Sequence, residues 1–90
     1  MRLIRWTAEA SDQFEAAVKH IQQGNPTVGR NVAQALVERI EQLAAFPGLG
    51  RTGEFAGTRE LVIPPYVVVY RSTEEIIEIL YIWHGAQDWR

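Results

Sequence analysis

A carboxylate, an imidazole and two guanidinium groups stand in the C-terminal half of the chain, at Glu54, His84, Arg59 and Arg71. Together they are what metal-free cleavage of a phosphodiester demands: a base for a hydroxyl proton, an acid for the leaving oxygen, and cations where the phosphate gathers charge. Each has a plainer role as well. A histidine near a strand end commonly makes a surface hydrogen bond, and Arg59 has Glu60 and Glu78 as carboxylates to pair with. Arg71 suits an edge or turn charge, and Glu54 sits in a glycine-rich loop where water can solvate it. A second set, Arg51, Glu54, Arg59, His84, Gln87, Asp88 and Trp89, has the mixed polar and aromatic character of a protein contact surface.

Composition narrows the chemistry. There is no cysteine, which removes disulfides, thiolate zinc sites and cysteine nucleophiles and agrees with a reducing compartment. His20 and His84 alone cannot build a structural metal site, so no metal and no cofactor is expected. The net charge of −2 and pI near 5.6 argue against a broad basic footprint for nucleic acid, whose sequence-independent affinity comes from neutralised phosphates. Of the nine cationic residues only Lys19 is a lysine. Arginines favour bidentate contacts to carboxylate or phosphate. Charges interrupt every apolar run of the opening MRLIRWTAEAS, which therefore lacks the long stretch of a signal peptide or membrane span. The expected location is the cytoplasm.

The elements that must position these groups follow from the apolar period. Arg2 to Trp6 alternates and predicts a strand, after which Thr7 can cap a helix with Glu9 against its dipole. Phe14, Ala17, Val18 and Ile21 keep helical spacing and predict one buried stripe. Gly24 suits a left-handed cap, Asn25 can cap a second helix, and Pro26 fits that helix's first position. Val28, Val32, Leu36, Ile40 and Leu43 carry the second apolar face as far as Phe46-Pro47-Gly48. The short connection predicts an antiparallel helical hairpin. Gly48 to Gly57 reads as a loop. Beyond it, Arg59 to Ile63, Tyr66 to Arg71 and Ile76 to Trp83, broken at Pro64-Pro65 and at Ser72 to Glu75, predict an antiparallel three-stranded meander.

The last two strands are apolar on both faces. Strict alternation sends Ile77, Ile79, Tyr81 and Trp83 one way and Ile76, Leu80 and Ile82 the other. Two helices cover one face of a small sheet, so the other face is expected to lack an intramolecular cover and to await another chain. Trp83 is expected in the core and Trp89 at a partner. Tyr66 and Tyr70 are expected to pack on one sheet face with their hydroxyls at its margin.

The order of motifs in the second half resembles the ParE/RelE superfamily of toxins from type II toxin-antitoxin systems, closer to its ParE-like members. The resemblance is carried by Phe46-Pro47-Gly48-Leu49-Gly50-Arg51, Gly57-Thr58-Arg59-Glu60-Leu61-Val62, Tyr66-Val67-Val68-Val69-Tyr70-Arg71, Ile77-Glu78-Ile79-Leu80 and His84-Gly85-Ala86-Gln87-Asp88-Trp89. It spans almost the whole chain and implies an α+β fold over residues 1 to 90 as a single domain. In that fold the helical hairpin packs on one face of a mainly antiparallel sheet, made by the N-terminal strand and the C-terminal meander. It also implies a toxin neutralised by a cognate, ParD-like antitoxin. ParE-like members poison DNA gyrase, whereas RelE-like members cut messenger RNA on the ribosome. RelE-like sequences usually place a phosphate-binding arginine just after the first aromatic of the middle hairpin strand, where this chain has Val67. They are also lysine-rich and basic. Both departures favour gyrase over RNA cleavage, and a toxin-derived module that binds only its antitoxin is a further alternative.

Overall fold

Thr7 and Asn25 decide where the helices begin. The Thr7 hydroxyl accepts the Ala10 N–H at 3.0 Å, and the Asn25 side chain accepts from Thr27 and Val28 at 3.1 and 3.2 Å, with Pro26 at the first helical position. Orphan N–H groups at both starts are thereby satisfied. In the computed structural model, which describes residues 1–85, they open α1 (Ala8–Gly24) and α2 (Pro26–Glu41); a 3₁₀ turn, Gln42–Ala44, extends the latter. Gly24 is not the left-handed cap its type suggests. Asn25, in extended geometry, ends α1 and caps α2 at once, which leaves no room for a separate glycine cap. Gly57, at φ +79°, is the positive-φ glycine among the described residues.

Five strands form one sheet: β1 (Leu3–Trp6), β2 (Arg51–Thr52), β3 (Arg59–Ile63), β4 (Tyr66–Ser72) and β5 (Ile76–His84), in the order β1-β5-β4-β3-β2. The meander is antiparallel and β1 joins it parallel to β5. Within the stretch expected to be wholly loop, Arg51 and Thr52 pair with Glu60 and Arg59 as a two-residue edge strand. The α+β arrangement is otherwise the expected one, with α1 over β5 and α2 against α1 and β3.

Alternation along β5 breaks at a bulge. Tyr70 lies opposite Ile79 but Val69 opposite Tyr81, so Leu80 is the extra residue. One inserted residue shifts the side-chain phase by half a period. Ile77, Ile79 and Ile82 consequently share the helix-facing core with Tyr66, Val68, Tyr70, Leu61, Leu36, Ile40 and Leu43. Tyr81 and Trp83 are on the outer face, stacked at 5.2 Å and 16°. The expectation of Trp83 in the core is thus overturned by the bulge.

The outer face is also less bare than expected. Val67 and Val69 are 3% and 1% exposed, flanked in register by Trp83, Tyr81, Val62 and Glu60. Incomplete burial falls instead on α1, whose only fully buried residue is Ala10. Phe14, Ala17 and Ile21 are merely half-buried against the core.

If the bulge sets the core, Ile82→Ala should lower unfolding free energy by about 2–5 kcal/mol and Leu80→Ala by clearly less, read from urea denaturation. Equal losses would restore unbroken alternation.

Candidate functional site

Tyr70 holds down the turn that leads into the edge strand. Its side chain is fully buried, and the hydroxyl accepts the Gly50 N–H and donates to the Pro47 carbonyl, both at 2.8 Å. A guanidinium N–H of Arg59 donates to the Gly50 carbonyl, also at 2.8 Å. Side chains from two neighbouring strands therefore fix both polar groups of the residue just before Arg51. There is no space for a larger residue: a Cβ at Gly50 would stand 2.8 Å from the Glu60 carbonyl oxygen and from the Tyr70 ring. Burial pushes the Tyr70 phenol above its ordinary value of 10.0, against the lowering pull of the Gly50 hydrogen bond and the Arg59 charge. The expectation of a hydroxyl at the sheet margin fails because this phenol has buried backbone groups to satisfy.

Beyond Arg51 the loop closes on itself. Gly53 N–H donates to the Thr58 carbonyl at 2.9 Å, and the Thr58 hydroxyl donates to the Phe55 carbonyl at 2.6 Å. Glu54 and Phe55 are exposed at its tip. A short loop tied at its base presents its tip in a defined place.

The arginines do not converge. Arg59 pairs in register with Tyr70 and so lies on the helix side of the sheet, whereas Arg71, one residue further along β4, lies on the outer side. Arg71 meets Glu78 at 2.8 Å, and the buried Glu60 carboxylate is taken by Arg51 at 2.8 Å. Both carboxylates proposed as partners of Arg59 thus belong to other arginines, and Arg59 bonds a backbone carbonyl.

His84 stands opposite Tyr66, edge-on to its ring at 5.6 Å and 80°. Tyr66 and Arg71 are five residues apart on an extended strand, which separates the His84 and Arg71 positions by about 17 Å. One scissile phosphate cannot touch both. The proposed nucleolytic quartet of Glu54, Arg59, Arg71 and His84 is therefore distributed over two sheet faces and both ends of the meander.

What the fold does bring together is Arg51 and His84. They line a shallow depression of about 380 Å³ with Val62, Val67 and the Pro64-Pro65 turn. Its middle is apolar. Gln87, Asp88 and Trp89 lie outside the described residues. Among the described residues no cluster of three or more histidine, aspartate or glutamate side chains is arranged to hold a metal ion, and no helix is long and apolar enough to cross a membrane.

Sequence reasoning overlooked a second apolar surface, on the hairpin. Trp6 and Phe14 meet edge to face at 5.3 Å and 73° and line a hollow of about 480 Å³ with Ser11, Glu15 and Val37. The helical spacing of Phe14 carries this signal, but spacing alone does not tell a half-buried stripe from a fully buried one.

Residues 4–89 match the family model described as the ParE toxin of type II toxin-antitoxin system, parDE. The chain is 33% identical over 88 residues to toxin RelE2 of Caulobacter vibrioides, covering 97% of this chain and 99% of the relative. It is equally similar to Y4kP of Sinorhizobium fredii, covering 96% and 91%. Among solved structures, the chromosomal ParDE toxin-antitoxin system of P. aeruginosa superposes with a TM-score of 0.82 at 28% identity, over 93% of this chain and 96% of that one. The RelBE2 toxin-antitoxin complex of Mycobacterium tuberculosis shares the fold, with a TM-score of 0.69 at 21% identity over 92% and 96%.

Removing the Tyr70 hydroxyl tests the latch. Tyr70→Phe leaves the Gly50 N–H and Pro47 carbonyl unbonded and should cost about 1–3 kcal/mol at neutral pH. Because folding raises this pKa, the protonated phenol is favoured in the fold; its contribution is complete below 10.0 and lost as pH climbs through the folded value. Wild type should therefore lose stability as pH climbs above about 10, and Tyr70→Phe should lose less. Urea midpoints across that rise in pH measure it, and identical slopes would acquit Tyr70.

Proposed function

Since the chain belongs to the ParE family of toxins from type II toxin-antitoxin systems, we propose that it inhibits bacterial growth by binding and poisoning DNA gyrase and that a cognate antitoxin neutralises it. The proposal treats residues 1 to 90 as one toxin domain acting in the cytoplasm. The observation that carries it is the apolar centre of the Arg51–His84 depression, where Val62 and Val67 stand. Cleaving RNA needs preorganised cations around the reacting phosphate. The guanidiniums of Arg59 and Arg71 are instead committed to Gly50 and Glu78. The acidic balance of the chain points the same way, because a ribosome-bound nuclease works against a dense phosphate field.

Target contact is assigned to the far edge of the sheet and the C-terminal segment: Arg51, Glu54 at the loop tip, His84, and Gln87 to Trp89. Arg59 acts through Gly50, as a positioning residue. The antitoxin is assigned to the hairpin, where Trp6, Phe14 and Val37 leave an apolar hollow of the kind an amphipathic segment fills on folding. The toxin-antitoxin complexes among the similar structures support a partner of this kind.

A second reading has one observation in its favour: the similarity to RelE2 is as high as that to any relative described above. Under it the chain cuts messenger RNA at the ribosome, with Arg51 and His84 as the groups that share a depression.

Two assays on the purified free chain separate these readings, namely gyrase supercoiling with trapping of cleaved plasmid and translation-coupled cleavage of a messenger RNA. Cleaved DNA should accumulate while the RNA stays intact; cut RNA with normal supercoiling would overturn the gyrase assignment. Deletion of residues 87 to 90 should reduce toxicity at least about tenfold, equivalent to 1.4 kcal/mol of target binding, while antitoxin binding measured by calorimetry changes little. Parallel loss of both would refute the division between target and antitoxin surfaces.

A further inference from the structure

The ties of the loop between β2 and β3 converge on the carbonyl of Phe55. That oxygen accepts the Thr58 N–H at 3.1 Å and the Thr58 hydroxyl at 2.6 Å, and Thr58 is itself buried. Phe55 to Thr58 is a turn closed by a bond from its last N–H to its first carbonyl, and Gly57 in third place takes the positive φ, +79°, that a type II turn needs. Across the tip, the Gly53 N–H donates to the Thr58 carbonyl at 2.9 Å, and a Cβ at Gly53 would collide with the Thr58 hydroxyl. Thr58 thus holds the backbone on both sides of the tip.

The side chain mounted on this frame does not join the core cluster. Phe55 is 56% exposed, so its ring forgoes most of the gain that burying an aromatic brings. The turn does not require it either, because the bonds use the Phe55 carbonyl, which any residue supplies. For association the arrangement is favourable. A ring on an immobilised backbone has only its two side-chain torsions left to lose on binding. Phe46, Leu49 and Val62 are exposed as well, which concentrates open apolar surface on the β2 side of the sheet.

Charge selects the class of partner. Residues 53 to 57 read Gly-Glu-Phe-Ala-Gly, with the exposed Glu54 as their one charge, while the guanidiniums of Arg51 and Arg59 at the loop base bond Glu60 and Gly50. A carboxylate at the point of contact repels nucleic-acid phosphates. It suits a protein surface on which a cation borders an apolar pocket. Ala56 and Gly57, small and exposed, allow that surface to come close to the turn.

We propose that Phe55 is the anchor by which the chain grips the protein surface of gyrase rather than its DNA, with Thr58 as the positioning residue that aims the ring. This rests on the gyrase reading above and adds to it the chemistry of the contact: an apolar pocket for the ring, with a basic margin that meets Glu54.

Titration of the free chain into bacterial DNA gyrase with supercoiled plasmid, scored as trapped cleaved plasmid, tests the anchor. Phe55→Ala should raise the half-maximal concentration at least about tenfold. Phe55→Leu, which keeps an apolar side chain, should recover most of that loss, and the urea midpoints of both should match wild type because the ring lies outside the core. Thr58→Val, which lacks the hydroxyl tie, should raise the half-maximal concentration about threefold, while Thr58→Ser stays near wild type. Equal titrations of Thr58→Val and wild type would remove Thr58 from the positioning role. An unchanged Phe55→Ala titration overturns the anchor and leaves the gyrase reading standing, since wild type still traps cleaved DNA. Lost trapping matched by a lowered urea midpoint assigns the ring to the fold and overturns the proposal. Wild type retained by plasmid without gyrase, and released by Phe55→Ala, would put the ring on nucleic acid and overturn it too. Wild type that traps no cleaved plasmid defeats the gyrase reading first, and the anchor's partner with it.

Discussion

The pairing of β4 with β5, together with its one-residue bulge at Leu80, is the constraint from which the rest of the structure takes its orientation. These two strands lie at the centre of the sheet and contribute Tyr66, Val68, Tyr70, Ile77, Ile79 and Ile82 to the core. Had the ladder run unbroken, Tyr81 would have replaced Ile82 beneath α1 and placed a phenol in an apolar contact. The bulge keeps a β-branched side chain under the helix and sends the Tyr81–Trp83 stack outward. It also fixes where each charge emerges. Because Tyr70 faces the helices, Arg59 beside it faces them too, and Arg71 must face away.

That division of faces limits the chemistry more strictly than composition does. Four residues suited to phosphodiester cleavage are present, yet proximity in sequence is a poor guide to convergence in a pleated sheet, where every step reverses direction. Arg59 is used to immobilise the Gly50 peptide, which makes it part of the frame for Arg51 and not a free cation. Arg71 and Glu78 form an exposed cross-strand pair of the sort worth about 0–1 kcal/mol. The groups are spent on local structure.

Much of this fold was legible because its signals are local. Thr7, Asn25 and Pro26 act through capping hydrogen bonds within a few residues, and the strands from Arg59 onward are bounded by turn residues. The misreadings share a cause in interactions that are not local. The bulge leaves no mark in the run Ile77 to Trp83, in which every residue but Glu78 is apolar and either phase satisfies the pattern. The two-residue β2 exists only because β3 offers it a partner and Tyr70 pins the turn before it, which no window over Gly48 to Gly57 can register. Charge alone suggests a carboxylate for Arg59, whereas its partner is the Gly50 backbone carbonyl. Of the candidate site, Arg51 and His84 line one depression, and their closeness depends on the β2–β3, β3–β4 and β4–β5 registers, which no local pattern in the sequence carries. Residues 87 to 89 lie beyond the described chain.

The strand order also bears on how neutralisation can work. β1 and β2 are the two edges of the sheet, separated by four interstrand spacings, about 19 Å in all. The hairpin hollow belongs to the β1 side, while Arg51 and the tied loop belong to the β2 side. A partner seated on α1 and β5 would bury the helix that the fold itself covers least, without first breaking the contacts of Leu36, Ile40 and Leu43 that hold α2 to the sheet. It would not thereby cover the loop tip at Glu54. Inhibition from that position works most directly through bulk beside the sheet, because the β4–β5 ladder lies between the two edges and a close-packed core deforms little.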